Sequence, residues 1–298
     1  MDFTTFLQQM LNGFSLGSMY ALIAVGYTMV YGVLRLINFA HGDIMMVGAF
    51  LCYFGTAVFG LPFSAAMLLA IIGASALGIL TDKIAYKPLR EAPKISLLIT
   101  AIGISYFLEN LFNVLFGGTP KAFPVPKYMG SLINAFGLTF SVSTLIVPIF
   151  TILLLLIILF ILFKTKYGVA IRALAFDIQT VNLMGIDANK IIMLVFAMGS
   201  ALAAVGGVFW ALNYPAIDPV MGVLIGLKAF AAAVVGGIGS VTGAVLGGFI
   251  IGFTEVVVVA FLPELSGYKD AFAFIFLILV LLFKPSGILG YNFEKSRF

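Results

Sequence analysis

The chain has 298 residues, 62% of them hydrophobic and 9% charged, with a formal net charge of +4. That balance excludes a soluble globular domain. Several apolar runs reach the roughly 20 residues that cross about 30 Å of hydrocarbon. The positive charge therefore reports how basic residues are shared among loops, not affinity for nucleic acid, and the expected surroundings are membrane lipid.

Taken in chain order, apolar runs place spans near 8–33, 38–58, 62–81, 96–116, 139–163, 190–212, 222–238, 243–262 and 270–283. The predicted fold is all-α: one polytopic helical membrane domain over 1–298, with about eight to nine transmembrane spans. The short runs 38–58 and 222–238 admit broken or re-entrant segments. Nine crossings put the N-terminus outside and the C-terminus inside, whereas one re-entrant run leaves eight and puts both ends inside. The opening MDFTTFLQQM lacks a basic region and a small-residue cleavage site, and is expected to be retained. Cys52 is the one cysteine, which excludes an intramolecular disulfide.

Basic residues orient the spans. Lys83, Lys87, Arg90 and Lys94 share one loop, Lys164, Lys166, Arg172 and Lys190 another, and Lys284, Lys295 and Arg297 the tail. These three segments are expected in the cytoplasm. Segment 117–138 holds only Lys121 and Lys127 among three prolines, and NYPAIDPVMG (213–222) has no basic residue, so both are expected outside.

Polar side chains interrupt the apolar runs at a few places. RLINFAHGDIMMVGAF, from Arg35, carries Asn38, His41 and Asp43 beside a membrane core. Irregular backbone is tolerated there only when buried in protein or lining a water-filled cavity. Asn38 is expected to cap the helix that follows, and Asp43 to sit at its positive end. Glu109 and Asn113 are four apart and share a helix face, toward a pathway or a partner subunit. Lys228 and Glu255 lie on consecutive spans joined by GGIGSVTG (236–243), roughly 13 and 18 Å from that turn at 1.5 Å per residue. A flexible lysine stem spans the difference, so the two are expected to pair. The alternative sends Lys228 to the outer interface and leaves Glu255 protonated or facing a partner. In GAVLGGFIIG, Gly243, Gly247, Gly248 and Gly252 recur at helical spacing, as close helix packing requires.

No phosphate-binding pattern G-x-x-x-x-G-K-[ST] is present, and one histidine with one cysteine builds no metal cage and no serine–histidine–acid set. The chain is not expected to be an enzyme or to bind a cofactor. Energy for any uphill step must come from a partner or an ion gradient. An ion-coupled carrier working alone, with Asp43, Glu109 or Glu255 as its cation site, is one reading of the polar residues.

The basic segment KTKYGVAIRALAFDIQTVNLMGIDANK (164–190) points elsewhere. Its apolar residues at 173, 174, 181 and 183–184 alternate with Asp177, Gln179 and Asn182, as in a short amphipathic helix, and Gly185 is a natural stop. Within it, RALAFDIQTVNLMGID resembles the cytoplasmic coupling segment of ABC-importer permeases. More closely, it resembles the branched-chain amino acid permeases of the Liv type, where RA-x-A-x-(D/N)…LMGI recurs. GSMYALIAVGYTMVYGVLRLINFAHGD (17–43) is similar to the N-terminal signature of the H-type subunit, and GLKAFAAAVVGGIGSVTGAVLGGFIIGFTE (226–255) and LVLLFKPSGILG (279–290) agree with it. The segment departs from the general importer form, which begins Glu-Ala-Ala with a shorter spacing to its glycine.

The resemblance implies a permease subunit in the bacterial plasma (inner) membrane, moving leucine, isoleucine and valine inward, with a urea or short-chain amide permease as the nearest alternative. It implies a second homologous permease, two ATP-binding subunits that use ATP and Mg, and an extracytoplasmic substrate-binding protein. It assigns Arg172, Ala173, Ala175, Asp177 and Gly185 to contact with the ATPase, with a small alanine-rich face entering a cleft. Asn38, His41, Asp43, Glu109, Asn113, Lys228 and Glu255 remain the candidate pathway or structural polar residues.

Overall fold

Residues 15–30 of helix α1 (Phe3–Leu34) are buried on every side by neighbouring helices, the place for a helix with no polar face. In the computed structural model, which describes residues 3–135 and 137–290, α1 runs about 48 Å through the centre of the molecule. Packed on it are α9 (Ala188–Asn213), α10 (Met221–Gly236) and α11 (Val241–Phe261). Around this core stand α2 (His41–Tyr53), α3 (Phe63–Thr81), α4 (Lys94–Phe116), α6 (Val142–Lys164) and α12 (Lys269–Phe283). One turn of helix, α5 (Lys127–Gly130), lies in the loop before α6. Helix α6 is equally apolar but turns Ile149, Phe150, Leu153, Leu156 and Phe160 outward, as a lipid-facing helix does.

Among the described residues, eight helices are long and apolar enough to cross a bilayer, while α10, with 16 residues, reaches only about 24 Å. The expected spans thus all appear as helices, with α2 lengthened to Val58 by a π-turn and α3 carried on to Leu89.

The two ends of the bundle differ. At one end Arg90 Nη1 donates to Asn189 Oδ1 at 2.7 Å and Arg35 Nη2 to the Ala175 carbonyl at 3.0 Å, bringing both internal basic loops together. The α10–α11 turn lies there too, and Ile288 and Leu289 bond to Val235 and Gly236. Lys295 and Arg297 lie outside the described residues. At the opposite end, β1 (Lys121–Ala122) pairs antiparallel with β4 (Ala216–Ile217), joining the two segments expected outside. A hairpin of β2 (Leu132–Ala135) and β3 (Leu138–Ser141), register Leu132↔Ser141, packs near the start of α1, where Thr139 N–H donates to Gln8.

The run 38–58 is not itself broken: its helix continues from His41 to Val58, and the irregular backbone lies just before it. Helix α1 stops at Leu34, Arg35 takes φ 52°, and residues 35–38 run without regular structure. Helix α2 begins deep in the bundle, with the His41 ring 4.5 Å from that of Tyr27, two turns inside the end of α1. From there α2 climbs to the far end, where Phe54 meets Phe116 at 4.5 Å. Gly42 makes the buried start tolerable: a Cβ on it would lie 2.3 Å from the Gly222 carbonyl of α10, so only two glycines let these backbones touch.

Two expectations are corrected. Asn38 does not cap α2: Ala40 holds the cap position without a side-chain bond, and Asn38 Oδ1 instead accepts from the Tyr86 hydroxyl at 2.7 Å. The Asn38 carbonyl already takes the His41 N–H at 3.1 Å, which turns the side chain toward the extension of α3. Segment 164–190 forms two short helices, α7 (Lys166–Phe176) and α8 (Ile178–Leu183), rather than one. Asp177, extended at φ −156°, divides them because its carboxylate accepts from Gln179 N–H at 2.9 Å and from the Thr180 hydroxyl.

Candidate functional site

Among the described residues, polar groups interrupt the apolar bundle at several places, and three of these are candidate sites. The first is a lateral groove of ≈ 300 Å³ between α1, α4 and α10. Tyr27, Phe39, Ile102 and Leu227 supply apolar walls, and Ser105 and Glu109 the polar ones. Ser105 donates to the buried Asp43 carboxylate, and its Oγ lies 3.3 Å from Glu109 Oε1, so α4 links the α2 carboxylate to the groove. His41 is buried behind it against Tyr27. Asn113 shares the α4 face of Glu109 but is exposed, as is Asn110. Hydrocarbon satisfies none of these groups, so this face calls for protein or water opposite it.

The second assembly is a charge cluster linking α1, α10, α11 and α12. Lys228 Nζ lies 3.1 Å from both Glu255 oxygens and also contacts Asp270. The Tyr20 hydroxyl donates to Glu255 Oε2 at 2.8 Å and accepts from Lys228 at 3.2 Å, while Lys269 reaches Glu255 Oε1 at 3.3 Å. Lys228 and Glu255 are each 3% exposed, a burial that ions sustain only when paired and hydrogen-bonded. Helix packing puts them side by side. Gly243 and Gly247 let α11 close on α10, and Gly248 and Gly252 close on Ala21 and Gly17 of α1.

The third assembly is at the basic end. Ala173 and Ala175 are half-buried against the bundle, and the Ala175 carbonyl is held by Arg35. The exposed surface includes Phe176 (73% exposed), Leu183 (87%) and Met184 (74%) beside Arg172, whose guanidinium lies 5.1 Å from the Phe163 ring centroid. Gly185, at φ 79°, turns the chain back toward α9, a conformation that L side chains resist. Asp177 is exposed, and its bonds from Thr180 and then Gln179 hold its carboxyl below the usual carboxylate range.

Sequence reading missed several participants. Tyr20 and Ser105 stand in apolar runs where a lone hydroxyl carries no signal. Tyr86 sits among basic residues, and the Lys269–Asp270 pair marks a span boundary. The interhelical distances that give all five meaning appear only on folding.

The chain's relatives agree with this architecture. A family model for the branched-chain amino acid transport system permease component matches residues 9–281. The chain is 42% identical to the high-affinity branched-chain amino acid transport system permease protein BraD of Pseudomonas aeruginosa, over 96% of either chain. It is 41% identical to the LivH permease protein of Escherichia coli, over 97% of either chain, and 32% identical to a probable LivH permease of Methanocaldococcus jannaschii, over 94% of this chain and 91% of that one. Among solved structures, PsaBC from Streptococcus pneumoniae in complex with Fab shares the fold at TM-score 0.51 and 14% identity, over 93% of this chain and 92% of that one. With a match spanning nearly the whole length and helices that cross the membrane many times, the chain belongs to the branched-chain amino acid transport system permease family.

Proposed function

We propose that this chain is one transmembrane subunit of an ATP-driven importer that carries leucine, isoleucine and valine into the cytoplasm across a bacterial inner membrane. The observation that carries this reading is the 41–42% identity, over 96–97% of the chain, to permease proteins of high-affinity branched-chain amino acid systems. The groove beside α4 suits such a substrate. Its apolar walls match an aliphatic side chain, and Glu109 with Ser105 offers acceptors for an ammonium group. A second, homologous permease closes the groove from the other side, so that Glu109, Asn110 and Asn113 face a shared pathway rather than lipid.

Two ATP-binding subunits dock at the basic end and use ATP with Mg, while this chain binds no cofactor. Phe176, Leu183 and Met184 provide the apolar anchors for that contact, and Arg172 and Asp177 its polar rim. An extracytoplasmic binding protein delivers substrate to the opposite end. Bundle movement is transmitted by α7, which Arg35 ties to the end of α1.

The test is reconstitution with the cognate partner subunits in proteoliposomes. ATP-dependent uptake of radiolabelled leucine, competed by isoleucine and valine but not by urea, is the expected result. Uptake of urea without leucine would overturn it.

A further inference from the structure

A second cavity, of ≈ 350 Å³, opens at the end of the bundle opposite the basic loops, on the far side of α10 from the groove beside α4. Val223 and Leu227 of α10 face that groove, whereas Lys228 faces the charge cluster behind this cavity. Glu255 and Lys269 form its charged floor, and Leu16, Met19, Val256 and Val259 its apolar wall. Ser15 also lines it, 4% exposed, with an Oγ that has no hydrogen-bond partner among the described residues.

We infer that this cavity is a binding site for a free aliphatic amino acid, separate from the transport groove and resting on the substrate class proposed above. The argument is one of charge exchange. Glu255 is held from behind by Lys228 at 3.1 Å in a buried contact, so it keeps a counter-ion whatever Lys269 does. Lys269 is 43% exposed in its side chain and meets Glu255 at 3.3 Å, a contact of the solvent-screened, weakly held kind. Its four-carbon stem swings aside at small cost. An entering amino acid replaces one ion pair with two: its ammonium takes the place of Lys269 on Glu255 Oε1, and its carboxylate takes Lys269 Nζ. No charge is left unpaired and no proton moves. The Ser15 hydroxyl donates to the carboxylate, and the branched side chain lies on Leu16, Met19 and Val256. A simple cation or anion completes only half of this exchange, so the site selects zwitterions.

The inference is tested in the assembled transporter, with buried Cys52 replaced by serine and Val259→Cys placed on the cavity wall. Labelling of the introduced thiol by a membrane-impermeant reagent is timed with L-leucine, with 4-methylpentanoate (no ammonium) and with 3-methylbutylamine (no carboxylate). L-Leucine should slow labelling about tenfold, the acid and the amine should not, and adding Lys269→Gln should abolish the protection. Ser15→Ala should weaken it a few-fold, and Thr144→Cys, also on the cavity wall, serves as a second reporter should the first variant assemble poorly. Equal labelling rates with and without leucine at both reporters would overturn the inference, as would equal protection by all three compounds. Leucine uptake by the unmodified transporter is measured alongside. Normal uptake with unprotected thiols sinks the cavity alone, whereas protection without uptake would sink the transport reading and leave the cavity standing.

Discussion

Lys228 and Glu255, 27 positions apart on α10 and α11, are joined by two contacts of 3.1 Å, and each residue is almost wholly buried. Removing either partner strands the other in a low-dielectric interior, where breaking a buried pair typically costs about 3–5 kcal/mol. Asp270 and Lys269 soften that loss by offering second partners. Lys228→Met and Glu255→Gln should each lower assembly and thermal stability in detergent. The double variant should be less damaged than the sum, by at least about 1 kcal/mol of coupling. Strictly additive losses would show that the two charges act independently.

At the basic end, Phe176, Leu183 and Met184 are exposed large apolar side chains, and the proposed ATPase contact rests on them. Leu183→Asp and Met184→Asp should therefore reduce substrate-stimulated ATP hydrolysis by roughly tenfold or more, the scale of an interface hot spot, while leaving the amount of protein in the membrane unchanged. Ala175→Trp should act differently, by lifting α7 off the bundle and lowering the melting temperature as well. Unimpaired hydrolysis in all three would remove α7–α8 from the coupling interface.

Asp177 makes the same segment sensitive to acid. Its carboxyl titrates below the ordinary value of about 3.9 because the folded segment bonds the charged form, first through Thr180 and then through Gln179. The sign follows: the stabilisation is fully present above the ordinary value and is lost as pH falls through the lowered one. Hydrogen exchange of the Gln179 and Thr180 amides should depend only on intrinsic rates down to about pH 4, then show extra opening below it. In Asp177→Asn that extra opening should vanish. An unchanged acid transition in the variant would place its origin elsewhere.

Orientation is open to direct measurement. In a Cys52→Ser background, single cysteines at Lys87 and Lys166 should resist a membrane-impermeant thiol reagent on intact cells, and one at Lys121 should react. The first two positions lie in the clustered basic loops, and the third in the strand pair at the other end. The reverse pattern would invert the molecule.

The sequence by itself determined the elements and much of their arrangement. Span length and apolarity are local properties, so nearly every helix was legible from its run, and lysine and arginine counts sorted the loops into two sets that the fold brings to two ends. Even the Lys228–Glu255 contact could be anticipated, because a tight turn between adjacent helices turns residue counting into height. Tertiary structure alone decided what depends on distance across the bundle. Asn38 had the right spacing for a cap, yet Tyr86, 48 positions away, claimed its side chain. Packing half-buries the alanines of α7 and leaves Phe176, Leu183 and Met184 exposed, a ranking that their spacing in the chain does not give. Tyr20, Ser105 and Ser15 were silent in apolar runs, since a hydroxyl acquires a role only from what stands opposite it. In a chain this uniformly apolar, hydrophobic pattern separates membrane from loop but does not rank one helix face above another; close backbone approach at glycines such as Gly42 and Gly222 does that, and it exists only in three dimensions.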